Sequence, residues 1–332
     1  MVATDKRKVT TTVRDKPSDT PHAKAPAPGT SLMVNIGGLK MDNPVTVASG
    51  TFAAGREYGE FFSLRTLGAV TTKGVSLEPW RGNETPRIAE TPSGMLNSIG
   101  LQNPGVEFFC NDTLPWLAAQ DVPVIVNVCS HTKDGFVPVI ERLERESTPD
   151  AYEINVSCPN VDSGGMSFGI DAKVTEDITA RCRAATKRPL FVKLTPNVTD
   201  ISQIAQAAES AGADAVSMVN TVAGLAIDAH TRKPILARGM GGLSGPAIKP
   251  IALYAVDKCY HAIKIPIIGM GGIVCAQDAI EFILAGASAV AIGTGNFIDP
   301  MCVPNVIHGI YDWCKDEGVL DIRELVGALG TN

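Results

Sequence analysis

Branched apolar runs punctuate the chain at nearly regular intervals. They fall at Val45–Ala48, Ala69–Lys73, Val122–Val128, Tyr152–Val156, Leu190–Leu194, Ala215–Asn220, Ile265–Gly269 and Ala289–Gly293. Each has the length of a strand, and continuous hydrophobicity is what a strand covered on both faces requires. Between them lie segments whose apolar positions recur three and four apart, among them Val137–Arg145, Val174–Thr186, Ile201–Ala211, Ile248–Ile263 and Ala276–Ala285. In Ile201, Ile204, Ala205, Ala208 and Ala211 this spacing puts one apolar stripe on one helical face. Gly212 and Gly286, each flanked by alanines, supply helix stops. Strand and helix alternating eight times in roughly 280 residues predicts a closed (β/α)8 TIM barrel, an α/β fold. A doubly wound sheet would carry G-x-G-x-x-G after its first strand, where this chain has Ser49-Gly50-Thr51-Phe52.

Ahead of the first run, LMVNIGGLKMDNPVTVASG contains two short strand-like stretches around Gly37-Gly38, which predicts an N-terminal β-hairpin. Residues 1–31 are polar, rich in Pro, Thr and Lys, and without periodicity. Such a composition does not offset its ordering entropy, so a disordered polar N-terminal tail is expected there, with 32–332 forming one barrel domain. The tail carries six Lys/Arg against three Asp, and the whole chain of 332 residues has a formal net charge of -6. An acidic chain with 5% aromatic residues is a poor candidate for nucleic-acid binding. No apolar run approaches the ~20 residues of a membrane span, and no apolar segment near the start resembles a signal peptide. The eight cysteines form no C-x-x-C pair, so no metal or cluster site is expected, and a cytoplasmic location follows from dispersed thiols without an export signal.

Barrels of this kind place their chemistry at the C-terminal ends of the strands. The second run ends in Thr71-Thr72-Lys73-Gly74, the third reaches Asn127, and the fourth ends in Asn155-Val156-Ser157-Cys158-Pro159-Asn160. Lys193 closes the fifth and Asn220-Thr221 the sixth. A lone strand lysine is usually snorkelling or ion-paired, but two lysines with several asparagines at one mouth make a polar, cationic floor that a core would not choose. Gly271-Gly272 and Gly293-Thr294 follow the seventh and eighth runs, where backbone N–H groups cradle phosphate in many barrels. Tight turns alone would also explain them. Gly241-Gly242-Leu243-Ser244-Gly245 either lets a ring or ribityl chain approach the backbone or simply turns into a helix. Cys158 sits at a strand-to-loop junction before Pro159, followed by a lid-like stretch, Asp162–Met166. A buried, inert thiol is the ordinary fate of a free cysteine. A thiol beside a cationic mouth instead has a lowered pKa and serves as a base.

Together, TTKG, GMLNSIGLQNPG, NVSCPN, FVKLTPN, VNT, GGLSGPAIKP, GMGGI and IGTG resemble the flavin-dependent dihydroorotate dehydrogenases, in that family's order from about Leu32 onward. The family divides into cysteine-base enzymes and membrane-bound serine-base enzymes, and Cys158 aligns the chain with the former. NVSCPNVDSGGMSFG and AIDAHTRKPILARGMGGLSGPAIKP are most similar to the type 1B catalytic subunit. The resemblance implies oxidation of (S)-dihydroorotate to orotate in pyrimidine (UMP) biosynthesis, with one FMN per chain. Cys158 is then the general base at C5, and hydride passes from C6 to flavin N5. Lys73, Asn97, Ser98, Ile99, Gly100, Leu101, Asn155, Asn220 and Thr221 are implied substrate contacts. Ser49, Lys73, Asn127, Asn155, Lys193, Val219, Gly245, Gly271, Gly272, Gly293 and Thr294 are implied flavin contacts, with Lys193 beside flavin N1/O2, where reduction builds negative charge. FAD and a 2Fe-2S cluster are implied only on a partner subunit that passes electrons to NAD, in a homodimer or a heterotetramer with that subunit. Three rival readings remain: an FMN-dependent reductase of uracil-type dihydropyrimidines, a Schiff-base aldolase using Lys193, and a barrel serving only as an assembly subunit.

Overall fold

The computed structural model describes residues 29–146, 149–157, 159–160 and 166–330. Cys158, most of the lid-like stretch and residues 1–28 lie outside the described residues.

The hairpin forms where its glycines place it. β1 (Val34–Ile36) pairs antiparallel with β2 (Leu39–Met41) across Gly37-Gly38, whose φ angles are 57° and 104°. Positive φ at both loop positions is what a two-residue hairpin turn demands. Val34, Ile36, Leu39 and Met41 are buried. Gly37 packs against Asp214 and Gly38 against Pro189, the residues just before two barrel strands, so the hairpin covers the N-terminal end of the barrel. Ser31 already belongs to the fold: its N–H donates to Leu320 O at 2.7 Å and its carbonyl accepts from Ile322 N at 3.0 Å.

The chain then lays down β3 (Val45–Val47) and β4 (Val70–Thr71), followed by an antiparallel pair outside the barrel, β5 (Ile88–Thr91) and β6 (Gly94–Asn97). β7 (Val124–Val128) and β8 (Ala151–Asn155) return to the barrel. β9 (Pro159–Asn160) and β10 (Met166–Ser167) form a short antiparallel pair. β11 (Leu190–Lys193) and β12 (Ala215–Met218) are barrel strands, whereas β13 (Val222–Leu225), β14 (Ile227–Asp228), β15 (Lys233–Pro234) and β16 (Met240–Ser244) lie outside. β17 (Ile267–Met270) and β18 (Ala289–Ile292) complete it. The eight barrel strands are ordered β3-β18-β17-β12-β11-β8-β7-β4, with every ladder parallel. The seam between β3 and β4 closes through Gly68 N–H to Val45 O (2.9 Å) and Thr46 Oγ1 to Ala69 O (2.8 Å). All eight predicted strands are present, most of them a residue or two shorter than their apolar runs.

The outer helices are α1 (Val106–Phe108), α2 (Leu114–Ala118), α3 (Phe136–Leu143), α4 (Ala172–Ala185), α5 (Ile201–Ser210), α6 (Lys249–Tyr260), α7 (Ala276–Leu284), α8 (Gly295–Ile298) and α9 (Cys302–Asp316). Two of the longer ones start on aspartate caps. Asp171 accepts from Lys173 N and Val174 N at α4, and Asp200 accepts from Ser202 N at α5. Ile201, Ile204, Ala205 and Ala208 of α5 are buried as the stripe predicts, while Ala211 forms its C-cap. Gly212 and Gly286 take φ of 92° and 115°, left-handed stops before β12 and β18.

Three antiparallel units depart from the expectation of eight strands, a hairpin and loops: the short pairs β9–β10 and β14–β15 and one larger sheet. β5, β6, β16 and β13 form a four-stranded antiparallel sheet over the C-terminal end of the barrel. Three of its four strands contain glycine and all are five residues or shorter, so the hydrophobic pattern did not mark them.

Candidate active site

Lys193, the last residue of β11, is 4% exposed and lies in register with Asn155 on β8 and Ser217 on β12. Lys73 lies two residues past β4, its N–H bonded to Ala53 O at 2.9 Å. Burial pushes the Lys73 ammonium below its ordinary pKa, the neighbouring Cys129 thiol works against that shift, and the positive charges of Lys193 and Arg87 add to it. Among the described residues no carboxylate pairs with either lysine. Two unpaired amines at one end of a barrel are costly unless an anion arrives to share them.

The amides are as closely held. Asn155 Oδ1 accepts from Ser157 N at 3.2 Å, shaping the turn where β8 ends. Asn220 Oδ1 accepts from Thr221 N at 2.8 Å, and Asn197 Nδ2 donates to Thr221 O at 2.9 Å. Val219 N–H reaches Met270 O at 2.9 Å, tying the turn after β12 to the end of β17.

The four-stranded sheet brings in the residues from the second motif. Asn97 ends β6 and donates through Nδ2 to Gly242 O at 3.4 Å. Ser98–Leu101 are then clamped by the preceding loop: Asn83 Nδ2 donates to Ser98 O and Oγ at 2.9 and 3.0 Å, and Asn83 N–H to Ile99 O at 3.0 Å. Gly100 and Leu101 have φ of 72° and 52°. A left-handed leucine costs about 1–2 kcal/mol, a strain kept here in a half-buried loop.

The glycine cradle is present as well. Gly245 (φ 94°) lies against Gly94 and Thr294, and Gly272 (φ 86°) lies against Gly245 O and Lys249 N. Thr294 Oγ1 donates to Ser244 Oγ at 2.8 Å. The backbone N–H groups of Gly271, Gly272, Gly293 and Thr294 meet no acceptor among the described residues. Unfilled N–H groups on small residues, near the N-terminus of α8 and the turn entering α6, suit a phosphate. Ser49 lies two residues past β3 and is half-buried. The structure thus brings the sequence-named residues to one end of the barrel, with Cys158 alone among them outside the described residues.

Sequence reasoning passed over Glu153 and Ser217. Glu153 is 2% exposed; its Oε1 accepts from Asn127 Nδ2 at 2.6 Å and its Oε2 from Ser217 Oγ at 2.5 Å. β11 separates β8 from β12, so this contact crosses the barrel interior. Asn127 Oδ1 is buried with no partner among the described residues. A single charge two residues before Asn155, in an otherwise apolar run, was the available signal. Also unmarked was Asn103, whose Oδ1 accepts from Ser76 N, Ser76 Oγ and Gly105 N and whose Nδ2 holds Leu101 O at 2.9 Å.

No helix among the described residues is long and apolar enough to cross a membrane, and no cluster of three potential metal ligands occurs among them. The family model for dihydroorotate dehydrogenase matches residues 31–313. Three proteins named dihydroorotate dehydrogenase B (NAD(+)), catalytic subunit, show how similar the chain is to known sequences. It is 52% identical to the one from Alkaliphilus metalliredigens over 299 residues, covering 90% of this chain and 99% of that protein. It is 52% identical to the one from Thermoanaerobacter pseudethanolicus, again over 90% of this chain and 99% of that protein. For Trichlorobacter lovleyi the identity is 50%, over 90% of this chain and 98% of that protein. A match of this length and order, on a barrel whose strand ends carry two lysines, a row of amides and a glycine cradle, places the chain in the dihydroorotate dehydrogenase family.

Proposed function

We propose that the chain is the catalytic, FMN-binding half of an NAD-linked dihydroorotate dehydrogenase, oxidising (S)-dihydroorotate to orotate in pyrimidine biosynthesis. The observation that carries this reading is the pairing of two carboxylate-free lysines, Lys73 and Lys193, with the unfilled N–H groups of Gly271, Gly272, Gly293 and Thr294. The first can serve an anionic ring system and the second a phosphate. Relatives half identical to the chain carry the words dehydrogenase, NAD(+) and catalytic subunit in their names.

The residues present fit FMN. A phosphate would take the four free N–H groups, and Gly245 would leave room for the ribityl chain. Lys193 would lie by the ring edge that gains charge, and the unpaired Asn127 Oδ1 would accept from a ring or ribityl donor. Ser49, Asn155 and Val219 complete that wall. When bound, FMN supplies a two-electron hydride acceptor.

The chain's own residues bind and orient the pyrimidine. Lys73 meets the substrate carboxylate, while Asn97, Asn155, Asn220 and Thr221, with the Ser98–Leu101 backbone, hold the ring amides. Flat polar rings are discriminated strongly by such contacts, because an unmatched donor or acceptor stays unpaired in a closed site. Cys158 takes the proton from C5 as its thiolate, the form in which a cysteine acts as a base. All of these residues belong to the barrel unit we assign to residues 32–332.

A second subunit carrying FAD and a 2Fe-2S cluster is the proposed route to NAD, in a homodimer-based heterotetramer. Ile88, Leu225, Ile227 and Met240 are all more than half exposed on the strands outside the barrel, a patch that supports a protein partner at this end.

The test is turnover of the purified chain with dihydroorotate and with dihydrouracil, using NAD, fumarate and an artificial acceptor, before and after adding an FAD/iron–sulfur subunit. Reduction of bound flavin by dihydroorotate, with NAD used only after the subunit is added, is expected. Turnover of dihydrouracil alone would transfer the chain to the reductase reading. A colourless chain trapped by borohydride on Lys193 would transfer it to the aldolase reading.

A further inference from the structure

Among the described residues, Glu153 is the one buried acid on a barrel strand that the chemistry above does not use. It stands a layer below the site, in register with Asn127 on one side and Phe191 on the other. Burying a carboxyl group inside a barrel is costly unless its oxygens are bonded. Here both are, and both accept: Oε1 from the Asn127 amide at 2.6 Å and Oε2 from the Ser217 hydroxyl at 2.5 Å.

That arrangement has a consequence for Asn127. An asparagine amide can turn end for end, exchanging its donor and acceptor at almost no steric cost. Facing a group that only accepts, the amide has one orientation, with Nδ2 toward Glu153 and Oδ1 away from it. Oδ1 is left buried and without a partner among the described residues, lying 3.0 Å from where a β-carbon on Gly74 would be, in the loop that follows Lys73. A buried acceptor left open against the Lys73–Gly74 loop points to a donor supplied by a ligand.

We propose that Glu153 is a positioning residue: it locks the Asn127 amide so that its oxygen alone faces the bound flavin. This inference rests on reading Asn127 as a flavin ligand. Ser217 fixes the carboxylate in turn, so the three side chains form a chain of orientation from β12 through β8 to β7.

Glu153→Gln is the decisive substitution, because it is nearly isosteric yet removes the directionality. Glutamine satisfies Asn127 and Ser217 in either of two orientations, and in one of them the Asn127 amide is reversed. FMN titrated into the apoprotein should bind on the order of tenfold more weakly than to wild type, the size of one misdirected hydrogen bond. The visible absorption band of the bound flavin should shift as well. Asn127→Ala should weaken FMN to a similar degree, and combining the two should add nothing, since Glu153 acts only through Asn127. Wild-type FMN affinity and spectrum in Glu153→Gln, with Asn127→Ala impaired, would overturn the lock and leave the flavin contact standing. Losses that multiply in the double variant would also overturn it. Unchanged FMN binding in Asn127→Ala would remove the contact itself. Should Glu153→Gln fail to fold, Asn127→Asp carries the test: two facing carboxyl groups must share a proton, so FMN affinity should fall as pH rises. A flat pH profile in that variant would overturn the proposal.

Discussion

Gly242 on β16 lies so close to Thr221, just past β12, that a β-carbon added to it would overlap the Thr221 side chain. The contact joins the sheet above the barrel to a strand end within it, and Asn97 Nδ2 reaches Gly242 O from the third side. One glycine therefore sets the spacing between two proposed substrate contacts. Gly242→Ala would press its added carbon into Thr221 Oγ1 and place it 2.6 Å from Thr221 Cβ. Thr221 or the sheet must then move by about an ångström, and the KM for dihydroorotate should rise about tenfold or more, in line with a misplaced polar contact. Orotate binding measured by quenching of flavin absorbance checks this. Wild-type affinity would mean that Thr221 does not touch the substrate.

Lys73 makes a pH prediction. Its pKa is held below the ordinary lysine value, first by burial and then by Lys193 and Arg87. Deprotonation removes the charge that meets the substrate carboxylate, so orotate affinity should be full at neutral pH. It should fall as pH rises, and begin to fall at a lower pH than for an exposed lysine. Lys73→Arg keeps its charge to higher pH. Its binding should be roughly tenfold weaker at neutral pH through altered geometry, but the alkaline decline should disappear. Identical profiles for the two proteins would show that another group titrates.

Stability away from the site can be tested at Gly286, the stop after α7. Its φ is 115°, and a β-carbon there would overlap the Tyr260 ring. Gly286→Ala combines left-handed strain of about 1–2 kcal/mol with overpacking of about 1–3 kcal/mol. Urea unfolding should therefore show a loss of roughly 2–5 kcal/mol, while kcat at 25 °C stays unchanged. Adding Tyr260→Ala should relieve only the part of the overlap made by the ring, because the Tyr260 Cβ itself would lie 2.5 Å from the added carbon, and it should leave the strain untouched. A loss below about 1 kcal/mol would contradict the geometry.

The barrel was legible because its strands are covered on both faces and its helices on one, two patterns that composition and spacing express locally. Lys193, Asn155 and Asn220 were legible for the same reason: each ends an apolar run, and the fold fixes where such ends go. Glu153 was hidden by that logic. In a strand read as uniformly buried, the residues facing the lumen and those facing the helices are not distinguished, so nothing marked the acid in AYEIN. The sheet built from Gly94–Asn97 and Met240–Ser244 was hidden because its pairing is non-local and its strands are chosen for closeness, with Gly94 against Ser244 and Gly241 against Asn97. Close approach leaves glycine in the sequence, and glycine alone does not say what approaches.

The proposed base can be separated from every binding role. The residues assigned to FMN are spread over the ends of all eight barrel strands and the β16 turn, and Cys158 is not one of them. Cys158→Ala should therefore bind FMN with wild-type affinity and an unaltered visible spectrum, yet lose its reaction with substrate. In anaerobic stopped-flow, bleaching of the flavin by dihydroorotate at neutral pH should slow by on the order of 10²–10⁴, the usual contribution of a placed general base. Cys158→Ser should fall between the two at neutral pH and recover as pH rises, because a hydroxyl is a far weaker acid than a thiol and gives up its proton only under more basic conditions. If both variants bleach at the wild-type rate, proton removal at C5 belongs to another residue, and the assignment of this chain to the cysteine-base class fails with it.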